Sequence, residues 1–526
     1  MKRPSAVGSR PAMSLPSMAV AASVTRPAPT PVVEATTAVQ APASQAGRLP
    51  LDMDLPGGSS EAHYELIRRR AKWRGLRRNL ARGTAVALVL LITMGGLLFS
   101  QSYLKLHKVF KGGTATAAAL KSNVNPDLLK GEGSGRVNIL LMGRGGGNHD
   151  GPDLTDTMML ASVDPVNHTA TLLSLPRDLW VNVPNQGVMK LNAAWETGEF
   201  KYLGKVSPGS TDPKAISAGF NLVDQTVGGV LGINIDYNVL VDFQAFQQAV
   251  DTVGGVTVNV PSDLVDPTMA WENNGNATLA QAGTQNFDGK QALIYVRSRE
   301  TSSDFARAQR QRAVLLALKS KVETLGTLSN PFKISGLFSD LGNNVQTDLS
   351  LGNADRLYNI LKDIDGANIG SIDLDGGSVA GATQYVTGGN INGQAIVLPK
   401  AGLFQYGDIQ QFVRGQLKDP YIMKENARIS VLNGTTLAGL ATTQANILKG
   451  YGYNVVQAAN TPDSGWTTTT LLDLSHGKDK YTAHYLEQRF NVKAVTSLSN
   501  TNIPTNGADF VIIIGSDEAN PTTAQP

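Results

Sequence analysis

The residues best equipped for chemistry fall in one run, IYVRSRETSSDFARAQRQR, which ends at Arg312. Guanidinium groups repel one another unless an anion answers them, and their planar fork suits paired phosphate oxygens. The preceding QALIYVRSR reads as a strand, which puts Arg297 and Arg299 on one face at a spacing of two. Thr301, Ser302 and Ser303 offer helix N-caps. A helix is expected from Asp304 to about Glu323, with Val314, Leu315, Leu318 and Val322 on its apolar side. Arg307, Arg310 and Gln311 then share a face at i, i+3 and i+4. Arg312 lies off that face and is assigned to the surface. The competing reading is a solvated helix face with scattered arginines.

Three other stretches carry polar side chains in suggestive places. MGRGGGNHDGPDLTDTMM follows a strand pattern, and its glycines can let backbone amides approach an anion. It lacks the GK[ST] of a P-loop. Asp150, Asp153 and Asp156 lie three apart there, and Asp153 and Asp156 could share a hard cation through carboxylate oxygens. An Asp-rich turn is also simply a turn. SLPRDLW sets Arg177 at a strand end, with Asp178 as a possible ion-pair partner. MKLNAAW places Lys190 and Asn192 on one face of an expected strand, which a solvated edge explains equally well. With no cysteine and six histidines, none beside a convincing nucleophile, a thiol or serine triad has little support.

These stretches need elements to hold them. Residues 1–67 are rich in Pro, Ala, Ser and Thr and read as a disordered cytoplasmic tail. Residues 68–82 hold eight basic side chains and form a juxtamembrane segment. Gly83 to Ser100 carries no charge, and a transmembrane helix is expected over 83–104. The basic flank orients it with the N-terminus in the cytoplasm, giving a single-pass type II anchor in the cell membrane with extracytoplasmic C-terminal domains. A cleaved signal peptide competes, but the leader is too long for that reading to be favoured. Residues 105–134 read as a stalk.

VNILLMG (137–143) reads as a buried strand, and DTMMLASV with TATLLSL as an antiparallel hairpin. Helical patterns at 215–232 and 243–255 bracket the strand YNVLVDF, and VTVNVP follows. The mixture of hairpins and helical crossovers predicts an α/β domain with a mixed sheet over 135–325, its extension to 420 left open. The stretch 326–424 is an extension or linker with a helix near 351–363. A small α/β domain is expected over 425–517, and 518–526 is a tail. The near balance of 46 basic and 43 acidic residues argues against a general nucleic-acid binder.

The collinear series TDTMMLASVDP, LLSLPRDLWVNVP, KLNAAW, IDYNVLVDFQAFQQAVDTVGGVTVNVP and FDGKQALIYVRSRETSSDFARAQRQR resembles the LytR-CpsA-Psr (LCP) family over about 137–325. The unit opening with ISVLNGTTLAGLATTQANILKGYGYNVV resembles the LytR-type domain that often follows it. The resemblance implies a phosphotransferase in cell-wall biogenesis. It would move a teichoic acid-like glycopolymer, as its sugar 1-phosphate end, from a polyprenyl diphosphate carrier to peptidoglycan. It implies a magnesium (or manganese) ion held by Asp156, with Asp153 as a further candidate. Arg177, Arg297, Arg299, Arg307, Arg310 and Gln311 would hold the diphosphate, with Lys190 and Arg144 as further contacts. Arg177, Arg307 and Arg310 would act in catalysis, and Asp304 would orient an arginine, act as a base or cap its helix. One departure stands out: the family's Gly-x-Asp turn is GRGGG here, with Gly145 at the acidic position. The alternatives are a polyprenyl diphosphate pyrophosphatase or a non-catalytic polyprenyl-phosphate binding or regulatory protein.

Overall fold

A computed structural model describes residues 116–121, 123–147, 151–205, 209–298, 304–324, 344–376, 383–498 and 502–518. The expected tail, basic segment and membrane span lie outside the described residues, as do Asp150, Arg299 and the caps Thr301 to Ser303. Among the described residues no helix is long and apolar enough to cross a membrane.

In chain order the first strands are β1 (Val137–Arg144), β2 (Thr155–Asp164), β3 (Thr169–Ser174), β4 (Trp180–Val183) and β5 (Gly187–Lys190). Helices α1 (Ala194–Leu203) and α2 (Pro213–Leu231) follow, then β6 (Tyr237–Asp242), α3 (Phe243–Thr252), β7 (Val256–Val260), β8 (Leu264–Val265), β9 (Thr278–Ala280) and β10 (Gly283–Phe287). Next come α4 (Gly289–Arg297), α5 (Asp304–Thr324), β11 (Val345–Thr347), α6 (Leu351–Leu361), β12 (Ile369–Asp373), β13 (Val386–Ile391), β14 (Gln394–Pro399), α7 (Gly407–Gln416) and α8 (Pro420–Glu425). The C-terminal unit contains β15 (Arg428–Asn433), α9 (Leu440–Tyr451), β16 (Asn454–Asn460), β17 (Thr470–Asp473), α10 (Lys480–Phe490) and β18 (Phe510–Ile514).

The central sheet is mixed, in the order β11-β6-β1-β2-β3-β12. β1 runs parallel to β6 and β3 parallel to β12, while β1–β2, β2–β3 and β6–β11 are antiparallel. Residues 345–373 therefore contribute β11 and β12 to the sheet that begins at Val137. Alternation along the strands supplies two apolar faces. Leu140, Met142, Met158, Leu160 and Leu173 pack on Phe220, Val223 and Val227 of α2. Ile139, Met159, Val163 and Leu172 face the other way, toward Leu315 and Leu316 of α5 and Leu357 of α6. Helices cover both faces.

The structure corrects two element readings. QALIYVR is not a strand but α4, started by a capping box between Asp288 and Gln291. Ala292 to Val296 are all buried, and this continuous apolar run, with Lys290 and Gln291 exposed only at the start of the helix, resembles a strand. Lys190 and Asn192 do not share a strand face either: β5 stops at Lys190, and Leu191–Ala193 is a single 3₁₀ turn. The stretch read as a stalk also packs closely, with Ala119, Leu120, Val124 and Leu129 buried.

Candidate active site

The direction of the strands gathers the polar residues. The carboxyl ends of β1, β3 and β6 and the amino end of β2 lie on one edge of the central sheet. That edge carries Arg144, Arg177, Asp242 and Asp156, the place where open α/β sheets bind ligands.

Asp156 is the centre of the cluster. Its Oδ1 accepts from Arg177 Nη1 at 2.6 Å and from Asn192 Nδ2 at 3.2 Å. The 3₁₀ turn aims Asn192 there, and its carbonyl also accepts from Thr155 Oγ1 at 3.1 Å. Asp156 keeps 44% of its side chain exposed, and its Oδ2 has no partner among the described residues. Asp178 meets Arg177 Nε at 3.4 Å and Lys190 Nζ at 2.7 Å. Two carboxylates and two cations thus balance around a half-open edge.

Helix α5 approaches the same edge. Gln311 Nε2 donates to Thr157 Oγ1 at 3.0 Å, one residue from Asp156. Arg307 is half-buried one turn earlier on the Gln311 face. Asp304 opens α5, and its side chain lies outside the described residues.

Other members of the arginine set are engaged by groups of the protein itself. Arg310 is buried, and it donates from Nε to the Tyr295 carbonyl at 2.9 Å and from Nη2 to the Ser298 carbonyl at 2.5 Å. It therefore caps the end of α4, where helix carbonyls lack partners. Burial lowers its pKa, partly offset by Tyr295 and Asp266. Arg297, the last residue of α4, pairs with both oxygens of Glu272 at 2.7 and 2.9 Å and stacks over Phe243 at 4.5 Å. Phe243 follows Asp242, so Arg297 borders the sheet edge while engaged to Glu272. Arg312 is half-buried rather than a free surface residue, and Nη2 donates to the Ile369 carbonyl at 2.7 Å.

The GRGGG turn is buried at its start. Arg144 and Asp153, each 2% exposed, pair at 2.8 Å, and Arg144 lies 5.2 Å from the centre of the Trp195 ring. A metal-ligand role for Asp153 requires that pair to open. Gly146 has φ +67, and a side chain there would come within 2.9 Å of Asp242. Asp242 itself caps α3, accepting from the Ala245 amide at 2.8 Å. Burial raises its pKa, against the Ala245 amide and Arg144. Behind the pair, Glu199 is 3% exposed with Oε1 unpartnered among the described residues. Burial first, then the Asp153 charge, pushes its pKa up to about 7.

Sequence reasoning assigned no role in the site to Asp242, Glu199 and Glu272. Asp242 had a readable signal, since it ends a strand and caps the helix that begins at the next residue. Glu199 and Glu272 had none, because their neighbours come from distant segments.

Residues 102–395 match the model of the LytR_cpsA_psr family, more than half of the chain. The chain belongs to the LytR-CpsA-Psr family. Residues 426–517 match a second model, described as LytR cell envelope-related transcriptional attenuator. Among curated relatives, the polyisoprenyl-teichoic acid–peptidoglycan teichoic acid transferase TagU of Oceanobacillus iheyensis is 34% identical over 253 residues, covering 46% of this chain and 67% of TagU. The corresponding TagT of Bacillus subtilis is 28% identical over 316 residues, 59% of this chain and 90% of TagT. The crystal structure of B. subtilis TagT covers 59% of this chain and 99% of its own, at 25% identity and a TM-score of 0.40.

Proposed function

We propose that this LCP protein is a glycopolymer–peptidoglycan phosphotransferase. It takes a glycopolymer from a polyprenyl diphosphate carrier and passes its sugar 1-phosphate end to a peptidoglycan hydroxyl. The observation that carries the reading is Asp156 joined to Arg177 and Asn192 at the sheet edge, beside Gln311 of α5. Family membership and the names of the TagU and TagT relatives support the same chemistry.

In the reaction the acceptor oxygen attacks the phosphorus that carries the sugar. The bond to the lipid-side phosphate breaks, the hydroxyl proton is lost and polyprenyl phosphate leaves. Charge builds on phosphate oxygens, and preorganised guanidiniums lower the barrier. Arg177 and Arg307 are the residues assigned to this work. Arg177 is held by Asp156 and Asp178, so an incoming diphosphate competes with both carboxylates for it.

Magnesium fits one carboxylate of this site. The unpartnered Oδ2 of the half-exposed Asp156 is a hard oxygen donor, and magnesium commonly combines one or two carboxylates with substrate phosphates. When bound, the ion would neutralise phosphate charge. We further assign residues 83–104 as the membrane anchor, supported by the uncharged run and its basic flank. That places the site outside the cytoplasm, next to the lipid carrier and the wall.

The test is transfer from a polyprenyl diphosphate-linked glycopolymer to peptidoglycan fragments, with release of polyprenyl phosphate. Acceptor-dependent release supports the transferase. Equal release without acceptor would make the protein a pyrophosphatase, and binding without release a regulatory or carrier protein.

A further inference from the structure

The C-terminal unit holds a second edge of the same physical kind. Its sheet runs β16-β15-β18-β17, with β15 parallel to both β16 and β18. The chain leaves β15 through α9 to β16 on one side, while β18 lies on the other. The carboxyl ends of β15 and β18 therefore flank a topological switch point, where a crevice forms.

Residues 461–469 cross that edge and are fixed there. Gly434 N donates to the Ile514 carbonyl at 2.9 Å, and the Gly465 and Trp466 amides both donate to the Gly434 carbonyl at 2.8 and 3.0 Å. Ser516 N and Asp517 N return bonds to the Trp466 and Thr467 carbonyls at 3.0 and 3.2 Å. Asp517 accepts from the Thr469 amide and hydroxyl. A side chain at Gly434 would come within 2.6 Å of Trp466, so glycine allows the indole to lie against the strand end.

This frame supports a shallow, largely open depression of about 360 Å³ along one loop, lined by Ser464, Gly465, Trp466, Thr467, Thr468 and Thr470. Trp466 is half-buried, with its ring packed on the cluster of Leu432, Leu472 and Ile513, and its indole N–H has no partner among the described residues. Ser464, Thr467 and Thr468 are exposed, and their hydroxyls likewise have no partner among the described residues. No charged side chain lines the depression. An anion would lose water there without a cation to answer it. The exposed part of the indole, with hydroxyls flanking it along the loop, instead matches a pyranose, which offers C–H groups on one face and hydroxyls around its rim.

We propose that this depression is a subsite for an uncharged saccharide unit, with Trp466 as its platform. The assignment of a source rests on the transferase reading above, which supplies two: the amino-sugar glycan of the acceptor and the sugars of the transferred polymer. Both present the same pyranose chemistry. Calorimetric titration of the full chain with an N-acetylglucosamine tetrasaccharide, with maltotetraose and with inorganic diphosphate separates them. At least one sugar binds. Binding falls tenfold or more in Trp466→Ala and several-fold in Thr467→Ala/Thr468→Ala. The double variant alters only exposed side chains and keeps the test valid if Trp466→Ala fails to fold. Binding of the amino sugar alone assigns the acceptor glycan, and of maltotetraose alone the polymer. The proposal is overturned if neither sugar binds, if both variants bind like the parent, or if Trp466→Ala weakens diphosphate instead. Transfer by the Arg177 and Arg307 variants is measured separately, so failure here leaves the transferase reading standing.

Discussion

Arg307 and Arg310 lie three residues apart on one helix, yet they predict different losses. Arg310 donates to two backbone carbonyls in a buried setting, so Arg310→Ala leaves the end of α4 uncapped. That costs about 1.5–3 kcal/mol of stability for bonds to a charged group, read as a lower denaturant midpoint. Arg307→Ala lowers transfer, read in the same acceptor assay. Arg177→Ala lowers kcat about 100-fold or more, the scale for losing one preorganised donor. Transfer at the parent rate by Arg177→Ala would sink the site assignment.

A pH signature belongs to the residue scale too. Glu199 titrates near 7 in the folded chain against an ordinary 4.5, so the folded state holds a proton that the unfolded state releases. Its contribution is full below pH 4.5 and is lost as pH rises through about 7. Glu199→Gln flattens that slope and raises stability at pH 8 by roughly 3 kcal/mol at most. A series of Tm against pH decides it.

Between elements, the close crossing of α1 and α2 governs where the Arg144 environment sits. A side chain at Gly219 would come within 2.7 Å of Trp195 Nε1 and 2.9 Å of its carbonyl, and one at Gly198 within 2.6 Å of the Ala218 carbonyl. Backbone atoms cannot rotate away. Gly219→Ala therefore destabilises by about 1–3 kcal/mol through overpacking, visible as a fall in Tm. The strands β1, β2 and β3 are legible in sequence because short apolar runs are bounded by turn residues. Helix α4 is not, since five consecutive buried residues, Ala292 to Val296, hide the periodicity that marks a helix. The 3₁₀ turn after Lys190 is equally silent, and it sends Lys190 to Asp178 and Asn192 to Asp156.

Across the molecule, residues 124–136 tie the C-terminal unit to the rest. Val124 and Leu129 join its core with Tyr485, Leu486 and Phe490. Asp419 accepts from the Gly133 and Gly135 amides and from the Tyr485 hydroxyl. Glu132 pairs with Arg489 at 2.5 Å, and Arg489 lies 4.1 Å over the Tyr451 ring. Both partners are largely buried, so Glu132→Ala strands a guanidinium at a cost of about 3–5 kcal/mol. Denaturant unfolding then shows an earlier transition for the C-terminal unit, while a single unchanged transition would count against the tie.

The sequence by itself determined the kinds of groups available and their order: the arginine set, the TDTMM and PRD segments, and the apolar runs around the DPVNH turn that build the hairpin of β2 and β3. Those are properties of local pattern, which a chain carries before it folds. Only the tertiary structure decided which groups meet. It turned Arg310 inward to cap α4, engaged Arg297 with Glu272, closed Arg144 on Asp153 and left Asp156 half-open beside Arg177. Such pairings join segments that packing brings together, and Arg310 of α5 is aimed by the α4 carbonyls that need it rather than by its spacing from Arg307.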